Sequence, residues 1–171
     1  IAIDKMPVHQ ALGSLNNIKK KAEKNSATNG IKRFLTWLAP ITKPFQPCES
    51  LTFSSPNKNY KILFKPDFLT ELSGRRTAVH IWNTKTKLSE DIVLASLCAV
   101  ASRYPDTHLR PDDFAVLSLQ DGKLYAWSES SPEHRAMGED LLLYIEKMCS
   151  LVRNELGLPL HPDSDGPSPM P

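Results

Sequence analysis

Apolar residues recur at helical spacing at the start of the chain. Val8, Leu12, Leu15, Ile18 and Ala22 lie three or four apart, and Pro7 suits a first turn. The pattern predicts a helix over 7–24, with Lys19, Lys20 and Lys24 on its polar face. "NSATNG" (25–30) reads as a loop, and "IKRFLTWLA" (31–39) as a second short helix stopped by Pro40. Prolines at 40, 44 and 47 make the next stretch an irregular linker.

Beyond the linker the pattern changes to strands. A short one is predicted over 51–54, then a turn at "SSPNKN", then a strand over 60–72. Pro66 interrupts that strand and marks a bulge or an edge position. "SGRR" turns the chain into a strand over 77–84, so 60–84 reads as a β-hairpin. Ser89 is a good N-cap, with Glu90 and Asp91 where the helix dipole favours anions. "IVLASLCAVA" (92–101) is apolar almost all round, so this helix is buried on several sides. Strands over 114–119 and 124–128 flank an Asp-Gly turn. A final helix is predicted over 133–156, its apolar stripe being Met137, Leu141, Ile145, Met148, Val152 and Leu156.

This order predicts an α/β (α+β) fold: a mixed central sheet flanked by helices, with an N-terminal helical arm. The expected organisation is a basic helical segment and Pro-rich linker over 1–47 and a core over 48–157. A Pro-rich tail without fixed structure is expected over 158–171.

Composition narrows the class. With 171 residues the chain suits one domain. No run of eighteen apolar residues exists, so no transmembrane helix and no membrane partner are expected. The chain begins at Ile1 rather than Met, which fits a piece of a longer protein. Cys48, Cys98 and Cys149 show no zinc or disulfide spacing and read as buried small hydrophobes in a reducing, cytoplasmic compartment. Residues 1–65 carry eleven Lys/Arg against three Asp/Glu, a net +8 set against −6 for the rest. That asymmetry points to nucleic acid as a partner, with Lys19, Lys20, Lys24, Lys32 and Arg33 as phosphate contacts. An ordinary solvated helix face would carry the same lysines.

Two short motifs carry the candidate chemistry. "KPDFL" places Asp67 after Pro66, and sixteen residues on "WNTKT" supplies Asn83, Thr84 and Lys85. In this order of elements, the pair resembles the PD-(D/E)xK nuclease-like superfamily over roughly 30–130. The resemblance implies a restriction-endonuclease-like core. It also implies a site in which two strand carboxylates hold Mg²⁺ while the lysine stabilises developing charge. A hairpin is expected to bring Asp67 beside Asn83. Here the second acid is Asn83, and the helix at 31–39 carries no glutamate. The site Asp67, Asn83 and Lys85 is therefore expected to be vestigial and to need no cofactor.

Three functions remain open. One is a non-catalytic nuclease-like module binding nucleic acid, or other protein subunits or domains. Another is a divergent Mg²⁺-dependent nuclease that recruits Glu71 or Glu49 in place of Asn83. The third is a structural interaction domain without a nucleic-acid role. No GxGxxG, P-loop or GxSxG motif is present. His80 reads as a packed strand residue. His108, His134 and His161 have no evident partner.

Overall fold

A computed structural model describes residues 7–158. Four strands form the central sheet in the order β3–β4–β5–β6. They are β3 (Phe68–Leu72), β4 (Arg75–Trp82), β5 (Asp113–Ser118) and β6 (Leu124–Ala126). β3 and β4 form an antiparallel hairpin, and β5 and β6 another. Between the hairpins β4 and β5 run parallel, connected by the helix α3 (Glu90–Arg103). The fold is thus α+β with a mixed sheet.

Both sheet faces are covered, as the apolar strand pattern requires. On one face Phe68, Val79, Ala115 and Leu117 pack under Phe34 of α2 (Lys21–Leu38), with Trp37 and Phe45 at the margin. On the other, Leu69, Ala78, Phe114 and Tyr125 pack against Val93, Leu94, Leu97 and Val100 of α3. Burying each such side chain contributes about 1.5–3 kcal/mol. The α4 helix (Pro132–Glu155) covers the outer side of α3, which explains why α3 is apolar all round. Residues 1–47 are therefore more than an arm, because α2 is itself one of the layers.

Three expected elements differ. The stretch 25–30 is helical, so α2 is one helix. The break falls earlier, after the short helix α1 (Val8–Ser14) and a tight turn at Leu15–Asn17. The loop-like composition of 25–30 is overridden because Phe34 is held in the core and Gly30 meets the sheet end closely. The expected 60–72 strand is two strands. β2 (Lys61–Phe64) pairs with β1 (Leu51–Ser54) in a separate antiparallel hairpin. After Pro66 the chain enters β3, an edge strand that bridges to Gln46. Pro66 precedes a bulge as well. Phe68 pairs with Val79, while the Asp67 amide also donates to the Val79 carbonyl at 2.8 Å.

The third difference is the face of α4. Its predicted core stripe is largely exposed: Met137, Ile145, Met148, Val152 and Leu156 all face out. The buried face instead runs through Gly138, Leu142 and Glu146. Cys98 is buried, Cys48 is half-buried and Cys149 is exposed; all three are free thiols. Among the described residues no helix is long and apolar enough to cross a membrane. The expected tail over 159–171 and His161 lie outside the described residues.

Candidate functional site

The parallel pair β4–β5 ends in register at Trp82 and Ser118, and Leu119 donates its amide to the Trp82 carbonyl at 2.9 Å. The residues just past these ends are Asn83–Lys85 and Gln120. Ligands of open α/β sheets commonly bind outside such carboxyl ends. Here a cleft of about 420 Å³ opens there, with α2 as its far wall.

The wall from α2 is built by helical spacing. Ala22, Asn25, Ser26, Asn29 and Arg33 fall on one stripe and line the cleft. The helix approaches closely because residue 30 is glycine. A Cβ there would stand 2.5 Å from Asn83 Nδ2 and 2.8 Å from its Oδ1. The floor is held by Gln120. With its amide nitrogen turned to the main chain, it donates to the carbonyls of Lys85 at 2.9 Å and Thr84 at 3.1 Å. Arg33 donates to the Leu119 carbonyl at 3.1 Å, so its guanidinium is anchored at the cleft. Lys85 is exposed and its ammonium has no hydrogen-bond or ion-pair partner among the described residues.

The electrostatics follow from the lining. It holds two cations, Arg33 and Lys85, and amide or hydroxyl side chains at Asn25, Ser26, Asn29, Asn83, Thr84 and Gln120. No carboxylate lines it. Gln120 gives its amide donors to the main chain; the remaining side chains and the two cations make an acid-free surface that suits an anion accepting several hydrogen bonds at once.

The Asp67 carboxylate goes elsewhere. It accepts from the Ile81 amide at 2.7 Å and lies 3.1 Å from His80 Nδ1. Asn83 packs toward α2, whereas His80 alternates with Val79 and Ile81 and so belongs to the opposite face of β4. The Asp67 carboxylate is thus taken up by His80 and the Ile81 amide, and it does not line the cleft with Asn83 and Lys85. Burial by itself would raise the Asp67 pKa, but hydrogen bonds from His80 and the Ile81 amide outweigh it and hold it low. The Asp67 hydrogen bond, opposed by burial, holds the His80 imidazole above its ordinary value.

For a divalent cation the donors do not fit. Asp67 is engaged away from the cleft, and Asn83 is neutral. No group of three His, Cys, Asp or Glu side chains among the described residues could hold a metal ion. Glu71 pairs with Lys43 at 3.0 Å, and neither it nor Glu49 lines the cleft. Asn83→Asp is accordingly expected to bring no calorimetric Mg²⁺ or Mn²⁺ binding below a Kd of about 1 mM. The introduced acid would stand beside two cations without a second carboxylate. Tighter binding would show that another acid converges on position 83.

Of the five basic residues singled out on sequence, only Arg33 joins Lys85. Lys20 pairs with Glu23 at 3.1 Å, Lys24 donates to Asn16 Oδ1 at 2.9 Å, and Lys19 and Lys32 are exposed away from the lining. Sequence reasoning missed Asn25, Ser26, Asn29 and Gln120. Gln120 carried a signal, since it follows an apolar strand as Asn83 does. The other three were hidden by the loop-like look of 25–30. No family model, no curated protein and no solved structure matches this chain.

Proposed function

We propose that the chain is a non-catalytic, nuclease-like α+β domain that binds the phosphate backbone of nucleic acid in the Arg33–Lys85 cleft. The observation that carries the reading is the lining: two cations and six amide or hydroxyl side chains without a carboxylate. A phosphodiester is an anion with several acceptor oxygens, and backbone contacts to it come from these residue types. Two further features support the reading. α2 comes before the strands and α3 and β5 after them, as in the helix–three strands–helix–strand order of the PD-(D/E)xK core, although only β3 and β4 of the intervening strands join the central sheet. The net +8 of residues 1–65 lies on the side of the chain that supplies α2. Cleavage would require carboxylates to hold a metal and activate water, and the cleft has none to offer.

The reading predicts weak, sequence-independent and salt-sensitive binding. Three or four phosphate contacts would lower affinity by roughly 40- to 150-fold between about 50 and 200 mM salt. Lys85→Gln should flatten the slope of log K against log salt by about one contact. Its ammonium is solvated, so folding should be unaffected. Arg33→Gln is a less clean variant because it also breaks the bond to Leu119. Fluorescence anisotropy with labelled DNA and RNA oligonucleotides measures the effect, with Lys61→Gln on the β1–β2 hairpin as the control. Absence of binding near 50 mM salt, or a Lys85→Gln slope equal to that of the unaltered chain, would reject the reading.

A further inference from the structure

The exposed face of α4 is an apolar seam with regular spacing. Met137, Leu141, Tyr144, Met148 and Leu151 follow one another at intervals of four, three, four and three. This is the 3.5-residue period of paired helices. Leu141 is half-buried, but the other four are at least 40% exposed, with Tyr144 at 61%. Ile145 and Val152 widen the same seam. From 137 to 151 it runs about 21 Å along the helix. Isolated apolar residues on a surface are ordinary, whereas a contiguous stripe of this length marks an interaction site.

The charges beside the seam say what covers it. Asp140 and Lys147 lie on one flank, seven residues apart and both exposed. Neither has a hydrogen-bond or ion-pair partner among the described residues. Two turns, about 10 Å, separate them along the helix, so they do not neutralise each other within one chain. An antiparallel copy of the same helix resolves both charges. Setting Leu141 opposite the second copy's Tyr144 also sets Met137 opposite its Met148. In that register Asp140 of each copy lies alongside Lys147 of the other, twice over. A parallel arrangement would turn this flank toward the opposite flank of the second copy, where Ile145 and Val152 offer no charge to either.

We propose that this face is a homodimer interface, in which α4 pairs antiparallel with α4 of a second copy about a two-fold axis. Such an interface is self-complementary and closes on itself. It lies on the outer side of α3, away from the α2 cleft, so each copy keeps its Arg33 and Lys85 accessible.

Sedimentation equilibrium of the full chain tests it. A dimer is expected at about 50 μM, a concentration at which micromolar association is readily seen. Lys147→Asp places two acids on each flank and should return the chain to monomer. The double exchange Asp140→Lys with Lys147→Asp should restore the dimer. Tyr144→Glu should also give monomer while leaving circular dichroism unchanged, and its urea midpoint should equal that of the unaltered chain at a concentration dilute enough to keep both monomeric, since Tyr144 makes little of the monomer's core. A chain that stays monomeric to about 0.5 mM would overturn the proposal. A dimer indifferent to Lys147→Asp would overturn it equally.

Discussion

Gly138→Ala is expected to lower the free energy of unfolding by about 2–3 kcal/mol. The sign is informative because alanine is the better helix former by about 1 kcal/mol and would stabilise an exposed helix position. Position 138 is not exposed. It lies in α4 where that helix meets α3, and a Cβ added there would collide with the Ala95 carbonyl oxygen. The Ala99 amide nitrogen would stand 3.4 Å from it. Both are main-chain atoms of a helix that is itself buried between the sheet and α4, so neither can rotate aside. The helices must part instead. Parting them would strain the neighbouring fork, in which Arg103 donates to Glu139 at 2.8 and 2.7 Å. Urea unfolding of the variant measures the loss. A variant as stable as the unaltered chain would show that α4 slides freely on α3.

The same residue shows what could be read from the sequence. The helix over 90–103 was legible because its pattern is apolar in every direction, which only enclosure explains. β4 and β5 were legible as apolar runs ending in polar residues, and Asn83 and Lys85 stood out for that reason. The docked face of α4 was not legible. A helix is normally oriented by its apolar stripe, and here that stripe is Met137, Leu141, Ile145, Met148 and Val152. The buried face instead uses a glycine and a glutamate, whose burial is decided by partners far along the chain. Gly138 meets Ala95, and Glu146 meets the loop at 55–59. The exchange of partners at Pro66 was hidden likewise. Pro66 marked an interruption within 60–72, but only the pairing of β2 with β1 reveals that the chain leaves one sheet for another there. The cleft was half legible: its cations were visible and Pro66 marked the bulge, but nothing local says that the acid after it is held by His80.

Glu146→Gln is expected to cost about 2–4 kcal/mol at neutral pH, with a cost that shrinks as the solution becomes acidic. Glu146 is 2% exposed, yet its carboxylate is fully engaged. One oxygen accepts from Ser55 Oγ at 2.6 Å and the Asn59 amide at 3.1 Å. The other accepts from the Asn57 amide at 3.0 Å and its Nδ2 at 2.9 Å. These four donors close the β1–β2 turn, where Lys58 adopts a φ of 62°, onto α4. Glutamine presents one acceptor and one NH₂, so two donors would face a third donor in a buried place. The pH dependence follows from the same contacts. Burial alone would raise the pKa of this carboxyl, but the hydrogen bonds from Ser55, Asn57 and Asn59 outweigh it and lower it. A lowered folded-state pKa means that the unfolded chain takes up the proton first. The stabilisation is then fully present above the ordinary glutamate value of about 4.3 and is lost as pH falls through the lower folded value. Glutamine does not titrate. The stability difference between the two proteins should therefore be constant from about pH 7 to 5 and narrow steadily below about 4.3. Urea unfolding at a series of pH values checks this, and a difference that holds unchanged to about pH 3 would show that the turn does not depend on the charge of Glu146.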